Sequence, residues 1–150
     1  MPFLITLNQI RKNRPCESGW VKLLSGLKKT EADDVPFPIS FILDNNGIDD
    51  ANWCLGCLEG HDREIHSYMA DIAESVLHIF EKERPDDMRP RLAIQANRDF
   101  ADGKISKEEL VAAGDAAWAA AWAAAWAAAG DAARAAERKK QAEMFRKWFA

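Results

Sequence analysis

The chain has 150 residues, of which 48% are hydrophobic, and this is enough for one domain with a sizeable core. The formal net charge of -4 argues against a protein that holds duplex nucleic acid by bulk electrostatics, although a local basic patch remains compatible with it. Because the N-terminus lacks the apolar core of a signal peptide and no uncharged apolar run reaches the ~18 residues that span a bilayer, we expect a soluble, cytoplasmic protein with no membrane role.

The N-terminal third carries short elements. Residues 3–6, "FLIT", form one short strand or an extended lead-in, and nothing else alternates with period two for long enough to build a sheet. Residues 16–27, "CESGWVKLLSGL", place their apolar side chains on one face of a short helix. The segment "VPFPISFILDNNG" predicts a helix with Pro36 and Pro38 in its first turn and its end at the Asn-Asn-Gly turn.

The three cysteines are Cys16, Cys54 and Cys57, an odd number in a chain with no export signal, which favours reduced thiols. The "CLGC" motif lacks the two further ligands that a structural zinc site needs, and it lacks the strand and helix that surround a redox pair. We therefore expect this pair to lie in a short helix and to pack into the core.

The histidines do not form a metal site. His61 and His66 are five positions apart, about 140° round a helix, whereas a helical ligand pair needs a spacing of three or four. His78 lies about 120° round the helix from His66 and three turns further along it. Because the sequence also has no Gly-rich phosphate loop and no nucleophile elbow, we expect no metal, no cofactor and no enzymatic activity.

Two amphipathic helices form the middle of the chain. The first begins at Asp62, whose side chain can cap it, and ends before Pro85. Its apolar residues recur at spacings of three and four: Ile65, Met69, Ile72, Val76 and either Ile79 or Phe80. The second helix contains residues 92–101 and ends at Asp102 and Gly103, since glycine suits a left-handed cap.

A long helix is predicted at the C-terminus. The capping box "SKEE" at 106–109 opens it, and an unbroken helix from Lys107 to Phe149 would be ~64 Å long. The phrase "AAGDAA" occurs twice, at 112–117 and 128–133, and suggests a local duplication. We favour one helix over a hairpin that turns at Gly130, because alanine tolerates an occasional glycine.

Three tryptophans, Trp118, Trp122 and Trp126, fall at about 0°, 40° and 80° round this helix and share one face. They predict a packing seam, most simply against the helices at 62–83 and 90–102, with a second subunit or a foreign partner as alternatives. The mutation Trp122→Ala should then cost roughly 3 to 5 kcal/mol of stability.

The charged turn "EKERPDDMRPR" at 81–91 is the best candidate site. In one interpretation it is a corner between helices, whose acids cap the next helix and pair with the arginines. In the other it is a surface, stiffened by two prolines, that presents arginine forks and carboxylates to a partner.

The basic C-terminal end "ARAAERKKQAEMFRKWFA" mixes cations with Trp148 and Phe149. A solvated helix face explains most of this pattern, because cations are favourable near a helix C-terminus. A nucleic-acid contact is the alternative, since basic residues mixed with aromatics can bind along a single nucleic-acid strand.

Several blocks resemble the putative immunity protein family of bacteria and phages. They are "GHDREI" at 60–65, "VLHIFEKERPDDMRPR" at 76–91, "AIQANRDFADGKISKEEL" at 93–110 and the Ala-rich 112–148. The resemblance implies a protein that binds and neutralises a cognate toxin without catalysis. For phage members it implies inhibition of a host defence complex such as CRISPR–Cas.

We therefore predict one all-α domain over 1–150, with a helical lead-in at 1–59 and an immunity-protein-like region at 60–150. It is a monomer or a homodimer that inhibits a protein target, and a nucleic-acid-binding accessory protein is the alternative. The expected partner-binding residues are Arg84, Asp87, Arg89, Arg91, Asp62 and Arg63.

Overall fold

The computed structural model describes residues 2–112 and 131–150, and helices dominate it, as the sequence predicts. The helices are α1 Leu7–Lys12, α2 Glu17–Gly26, α3 Ser40–Asn46, α4 Ile48–Leu55, α5 Asp62–Glu83, α6 Arg89–Ala101, α7 Lys107–Ala112 and α8 Asp131–Phe149. The tryptophan seam and the continuity of the long C-terminal helix lie outside the described residues. Within the described ranges, no helix is long and apolar enough to cross a membrane.

The chain divides into two compact units. Met1–Gly60 and Gln141–Ala150 form the first unit, and His61–Lys140 forms the second. The first unit therefore draws on both ends of the chain, whereas the second is one continuous segment.

A two-stranded antiparallel sheet in the first unit corrects one prediction. Strand β1, Leu4–Ile5, pairs with strand β2, Phe37–Pro38, so Pro38 lies in a strand and the helix begins only at Ser40. Both strands of a two-stranded sheet are edges, where the missing N–H of proline costs no ladder hydrogen bond. Two residues are too few to give a periodic signal, which is why the sequence did not reveal β2.

The helix α1 begins with a capping box that the sequence reading overlooked. The amide of Gln9 donates to Thr6 Oγ1 at 3.2 Å, and the amide of Thr6 donates to Gln9 Oε1 at 2.8 Å. These bonds satisfy backbone donors that the first turn of a helix leaves open.

Two asparagines join the helices of the first unit. Asn45 donates from Nδ2 to the carbonyl of Lys22 at 3.0 Å, and Asn46 donates to the carbonyl of Gly19 at 2.9 Å. The helix α3 ends at Asn46, as predicted, and Gly47 follows it with a φ of +100° that glycine adopts without strain. The next helix, α4, starts directly after this glycine.

The last helix supplies aromatic rings to the core of the first unit. Phe145 and Phe149 are completely buried. The ring of Phe149 lies 5.1 Å from that of Phe3, edge to face, and 5.0 Å from that of Phe145. The amide of Phe3 also donates to the carbonyl of Phe149 at 3.1 Å. Phe3 and Phe149 therefore hold the two ends of this unit together.

In the second unit, α5 and α6 form an antiparallel hairpin. Near the start of α5, His66 pairs with Asn97 late in α6, and near its end Glu81 pairs with Arg91 at the start of α6. Buried alanines allow the helices to approach, and Ala70, Ala73 and Ile94 form one cluster. The apolar face predicted for α5 is confirmed at Ile72, Val76 and Phe80.

A polar pair in which Asn97 is buried and His66 is half-buried joins the two helices of this hairpin. The Nδ1 atom of His66 lies 2.6 Å from Oδ1 of Asn97, and the amide of Asn97 donates to the carbonyl of Ala93 at 2.9 Å. Since the Asn97 amide nitrogen is used by Ala93, its oxygen accepts from His66. The ring of His66 also meets that of Phe100 edge to face, so this histidine has a structural role.

The start of α8 belongs to the second unit and contacts α5. Ser75 Oγ on α5 donates to Glu137 Oε1 at 2.9 Å, and Lys140 Nζ lies 3.4 Å from the other carboxylate oxygen. A buried carboxylate needs such partners, since burial without them would disfavour its charge.

Candidate protein-binding surface

The corner between α5 and α6 is built by two prolines. α5 ends at Glu83, because Pro85 cannot continue a helix, and the amide of Arg84 closes the last turn on the carbonyl of Phe80 at 2.9 Å. α6 begins at Arg89 with Pro90 in its first turn, where a missing N–H is tolerated. Arg89 and Arg91 therefore lie in the first turn of α6 and not in the connecting turn, which corrects the sequence-based placement.

Asp87 fixes the guanidinium of Arg89. Arg89 Nε lies 2.9 Å from Oδ1 of Asp87, and Arg89 Nη2 lies 2.6 Å from Oδ2, so the fork and the carboxylate meet through two bonds. The amide of Arg89 also donates to Oδ1 at 3.1 Å, which satisfies a backbone donor at the start of α6. The side-chain bond from Arg89, followed by this amide bond, lowers the pKa of Asp87 to about 2.

Glu81 fixes the second arginine across the corner. Arg91 donates to Glu81 Oε1 from Nε at 3.0 Å and from Nη2 at 2.6 Å. The pairing holds the end of α5 to the start of α6, as expected for a structural corner. The two arginine side chains nevertheless remain 67% and 54% exposed, so their outer edges stay accessible.

Two apolar side chains extend this surface. Met88 is 50% exposed and Leu92 is 60% exposed. They lie one helical turn apart, because the amide of Leu92 donates to the carbonyl of Met88 at 2.9 Å. Sequence reasoning missed Met88, although its spacing of four from Leu92 was a readable signal. We call the set Arg84, Asp87, Met88, Arg89, Arg91 and Leu92 the corner surface.

Asp62 and Arg63 lie at the other end of α5 and are not brought to the corner. A helix of 22 residues is about 33 Å long, which separates them from Arg84. Asp62 does not cap the helix, since His61 occupies that position, and it pairs instead with Lys107 at 3.2 Å. The guanidinium of Arg63 lies beside Gly103.

The predicted core position of the CxxC pair is confirmed. Cys54 and Cys57 are buried free thiols, whereas Cys16 is exposed. Burial, with smaller contributions from Cys57 and Asp50, raises the pKa of Cys54 to about 12, and burial also raises that of Cys57. Such thiols are poor nucleophiles and poor metal ligands at neutral pH. Across residues 2–112 and 131–150, no group of three or more potential ligands is placed to hold a metal ion.

The C-terminal helix offers less to a nucleic acid than its sequence suggests. Phe149 is completely buried, so its ring cannot stack on a base. Arg146 Nη2 lies 2.5 Å from Asp44 Oδ1, and Lys140 lies 3.4 Å from Glu137. Part of the basic pattern is therefore neutralised within the chain.

The hairpin and its corner fall within a region shared with other proteins. Residues 51–141 match the model of a protein family, and this match covers more than half of the chain. The family is a class of immunity proteins, which are generally non-enzymatic and have a protein partner. It is described as Imm-5 like putative immunity protein, and the chain belongs to it. No curated protein and no solved structure matches the chain significantly.

Proposed function

We propose that the protein is a non-enzymatic inhibitor that neutralises a protein target by binding it through the corner surface. The target is a bacterial toxin or, when a phage encodes the chain, a host defence complex such as CRISPR–Cas. The observation that carries this proposal is the corner itself, where two arginines held by carboxylates flank an exposed pair of apolar side chains.

The composition of the corner surface suits a protein partner. Methionine and arginine are enriched at protein interfaces, and a few such residues usually supply most of the binding energy. Asp87 and Glu81 hold Arg89 and Arg91 in place before binding, so less side-chain entropy is lost in the complex. The same carboxylates weaken the positive field of the arginines, which makes the surface less suitable for a phosphate backbone.

Stoichiometry distinguishes an inhibitor from an enzyme. We would co-purify the protein with the toxin or defence component encoded beside its gene and titrate the activity of that target. A binding inhibitor abolishes the activity at a ratio of one to one and forms a complex of matching mass. Protection by a small fraction of one equivalent would show turnover and would refute the proposal.

Two double variants test the corner surface. We expect Arg89→Ala with Arg91→Ala, and separately Met88→Ala with Leu92→Ala, to weaken binding at least about tenfold while each retains helical circular dichroism. Val35→Ala is the matched apolar control, because Val35 is 58% exposed and lies in the first unit. Arg11→Ala with Lys22→Ala is the matched charge control.

The outcome for the two double variants decides between the two interpretations of the corner. Unchanged affinity per folded molecule in both double variants, together with a lower melting temperature, would make the corner purely structural. Salt-sensitive binding to DNA that disappears on neutralising Arg138, Lys139 and Lys140 would instead favour the nucleic-acid alternative.

A further inference from the structure

The first unit contains a cavity of about 450 Å³ that the family membership does not explain. Its lining includes three buried apolar residues, which we call its floor: Ile10, Leu23 and Ile42. We call the more exposed aromatic and acidic lining residues its wall: Trp20, Trp53, Asp49 and Asp50. The volume falls within the range of small-ligand sites. Cys16 and Arg14 also line it, so it holds an exposed thiol and one cation of its own.

One carboxylate in the wall is held in place by its neighbours. Asn46 Nδ2 donates to Asp50 Oδ2 at 2.8 Å, and the same nitrogen donates to the carbonyl of Gly19 at 2.9 Å. A Cβ atom on Gly19 would lie 2.8 Å from Asp50 Oδ2, so a larger residue at position 19 would displace this carboxylate. Asp50 is therefore positioned by tertiary contacts.

Acids in the first turn of a helix have a simpler explanation, which covers only part of this arrangement. Asp49 and Asp50 open α4, where negative charge is favourable near the helix N-terminus. This favourable interaction with the helix N-terminus does not explain why position 19 has no side chain or why an indole lies in the same wall. Trp53, which lines the same cavity, nevertheless stays 45% exposed.

Aromatic faces, carboxylates and an apolar floor together recognise a cation on an apolar stem. Arg14 with Asp49 and Asp50 gives the lining a net charge of one minus two, or -1, which attracts a cation. A guanidinium suits this wall better than an ammonium, because it is planar, stacks on an indole and donates to carboxylates from a fixed fork.

We propose that this cavity binds an arginine side chain of a protein partner. The methylenes of the arginine lie on the apolar floor, and its guanidinium meets Asp50 beside Trp20 and Trp53. That the ligand belongs to a protein rests on the proposed function, whereas the recognition of a guanidinium does not. The proposal for the corner surface and the proposal for this cavity can therefore be refuted independently.

The first test uses a small probe and the full-length protein. N-acetyl-arginine methylamide is titrated while the indole N–H resonances of Trp20 and Trp53 are followed by NMR. We expect saturable shifts with a dissociation constant in the millimolar range. The citrulline analogue has the same shape without the charge and should bind at least about tenfold more weakly, as expected for a lost charged hydrogen bond. Equal shifts from both compounds, or no saturable shift from either, would overturn the proposal.

Variants locate the site. Asp50→Asn should weaken the arginine derivative about tenfold, and Asp34→Asn, which removes the same charge from an exposed position outside the cavity, should not. If Asp50→Asn impairs folding, Trp53→Ala replaces it, since Trp53 is largely exposed. Wild-type affinity in a folded Asp50 or Trp53 variant contradicts the assignment.

A second readout uses the thiol in the wall. The derivative should slow the reaction of Cys16 with a maleimide, and the citrulline analogue should slow it less. Cys54 and Cys57 do not interfere, because they are buried. Tighter binding of agmatine than of the arginine derivative would assign the cavity to a free amine and overturn the assignment to a partner's side chain.

Discussion

The burial of Phe149 gives the sharpest test of the fold. Residues near a chain end usually fray unless they are held by contacts. Phe149 is the last residue of α8 and is 0% exposed, with Phe3 and Phe145 packed against its ring. Its carbonyl also accepts the amide of Phe3 at 3.1 Å. We therefore expect Phe149→Ala to behave as a core mutation.

The size of the effect follows from what the mutation removes. Truncation of a buried phenylalanine to alanine usually costs about 3 to 5 kcal/mol, because apolar burial is lost and a cavity remains. The two ring contacts, worth about 0.5 to 1.5 kcal/mol each, are already part of that cost. For a chain of this size the melting temperature should fall by roughly 6 to 20 °C.

Urea and thermal unfolding followed by circular dichroism measure this change. Lys147→Ala is the control, because Lys147 is exposed on the same helix, and it should change the free energy of unfolding by less than about 0.5 kcal/mol. A loss below about 1 kcal/mol in Phe149→Ala, well under the cost of a core truncation, would show that the end of α8 frays in solution, and the packing described for it would be wrong.

Three further predictions concern single sites. The carboxyl of Asp87 should titrate near pH 2 by NMR, and its pKa should move towards the ordinary value of 3.8 in Arg89→Ala. Because the pKa is lowered in the folded state, the stabilisation from this pair is present above pH 3.8 and is lost as the pH falls towards 2. A wild-type titration midpoint near pH 4 would contradict this prediction. Gly26→Ala should lower the melting temperature despite the better helix propensity of alanine, since its Cβ would clash with Oδ1 of Asn45; a higher melting temperature would disprove the clash. One thiol, that of Cys16, should react with Ellman's reagent at pH 8 in the native protein and three after denaturation, whereas three in the native state would mean that the buried pair is accessible.

Local signals predicted the second unit well. The 3.6-residue periodicity and Pro85 gave α5 its bounds, and the capping box at Ser106 is present, with the amide of Glu109 donating to Ser106 Oγ at 3.1 Å. These features act within a few residues of one another, so the sequence displays them directly. The hydrogen bond between His66 and Asn97 could not be predicted in this way, because it joins two helices.

The candidate site was only partly readable. Alternating charges indicated that arginines and acids pair, but they did not show that Arg89 takes the carboxylate two residues before it while Arg91 reaches back to Glu81. Which carboxylate each arginine pairs with depends on the residue at which α6 begins. The cavity was hidden for a related reason, since its lining runs from Ile10 to Cys54 and its shape depends on the contact of Asn46 with Gly19.

Because the first unit is discontinuous in sequence, the two units can complete their folding only in a certain order during translation. A ribosome delivers the chain from its N-terminus, and domains generally fold as units. Phe3 nevertheless has to wait for Phe149, which is translated only after the whole of His61–Lys140. The continuous second unit can therefore fold earlier. Until Gln141–Ala150 has been translated, the apolar residues of Met1–Gly60 lack these packing partners and stay accessible to chaperones.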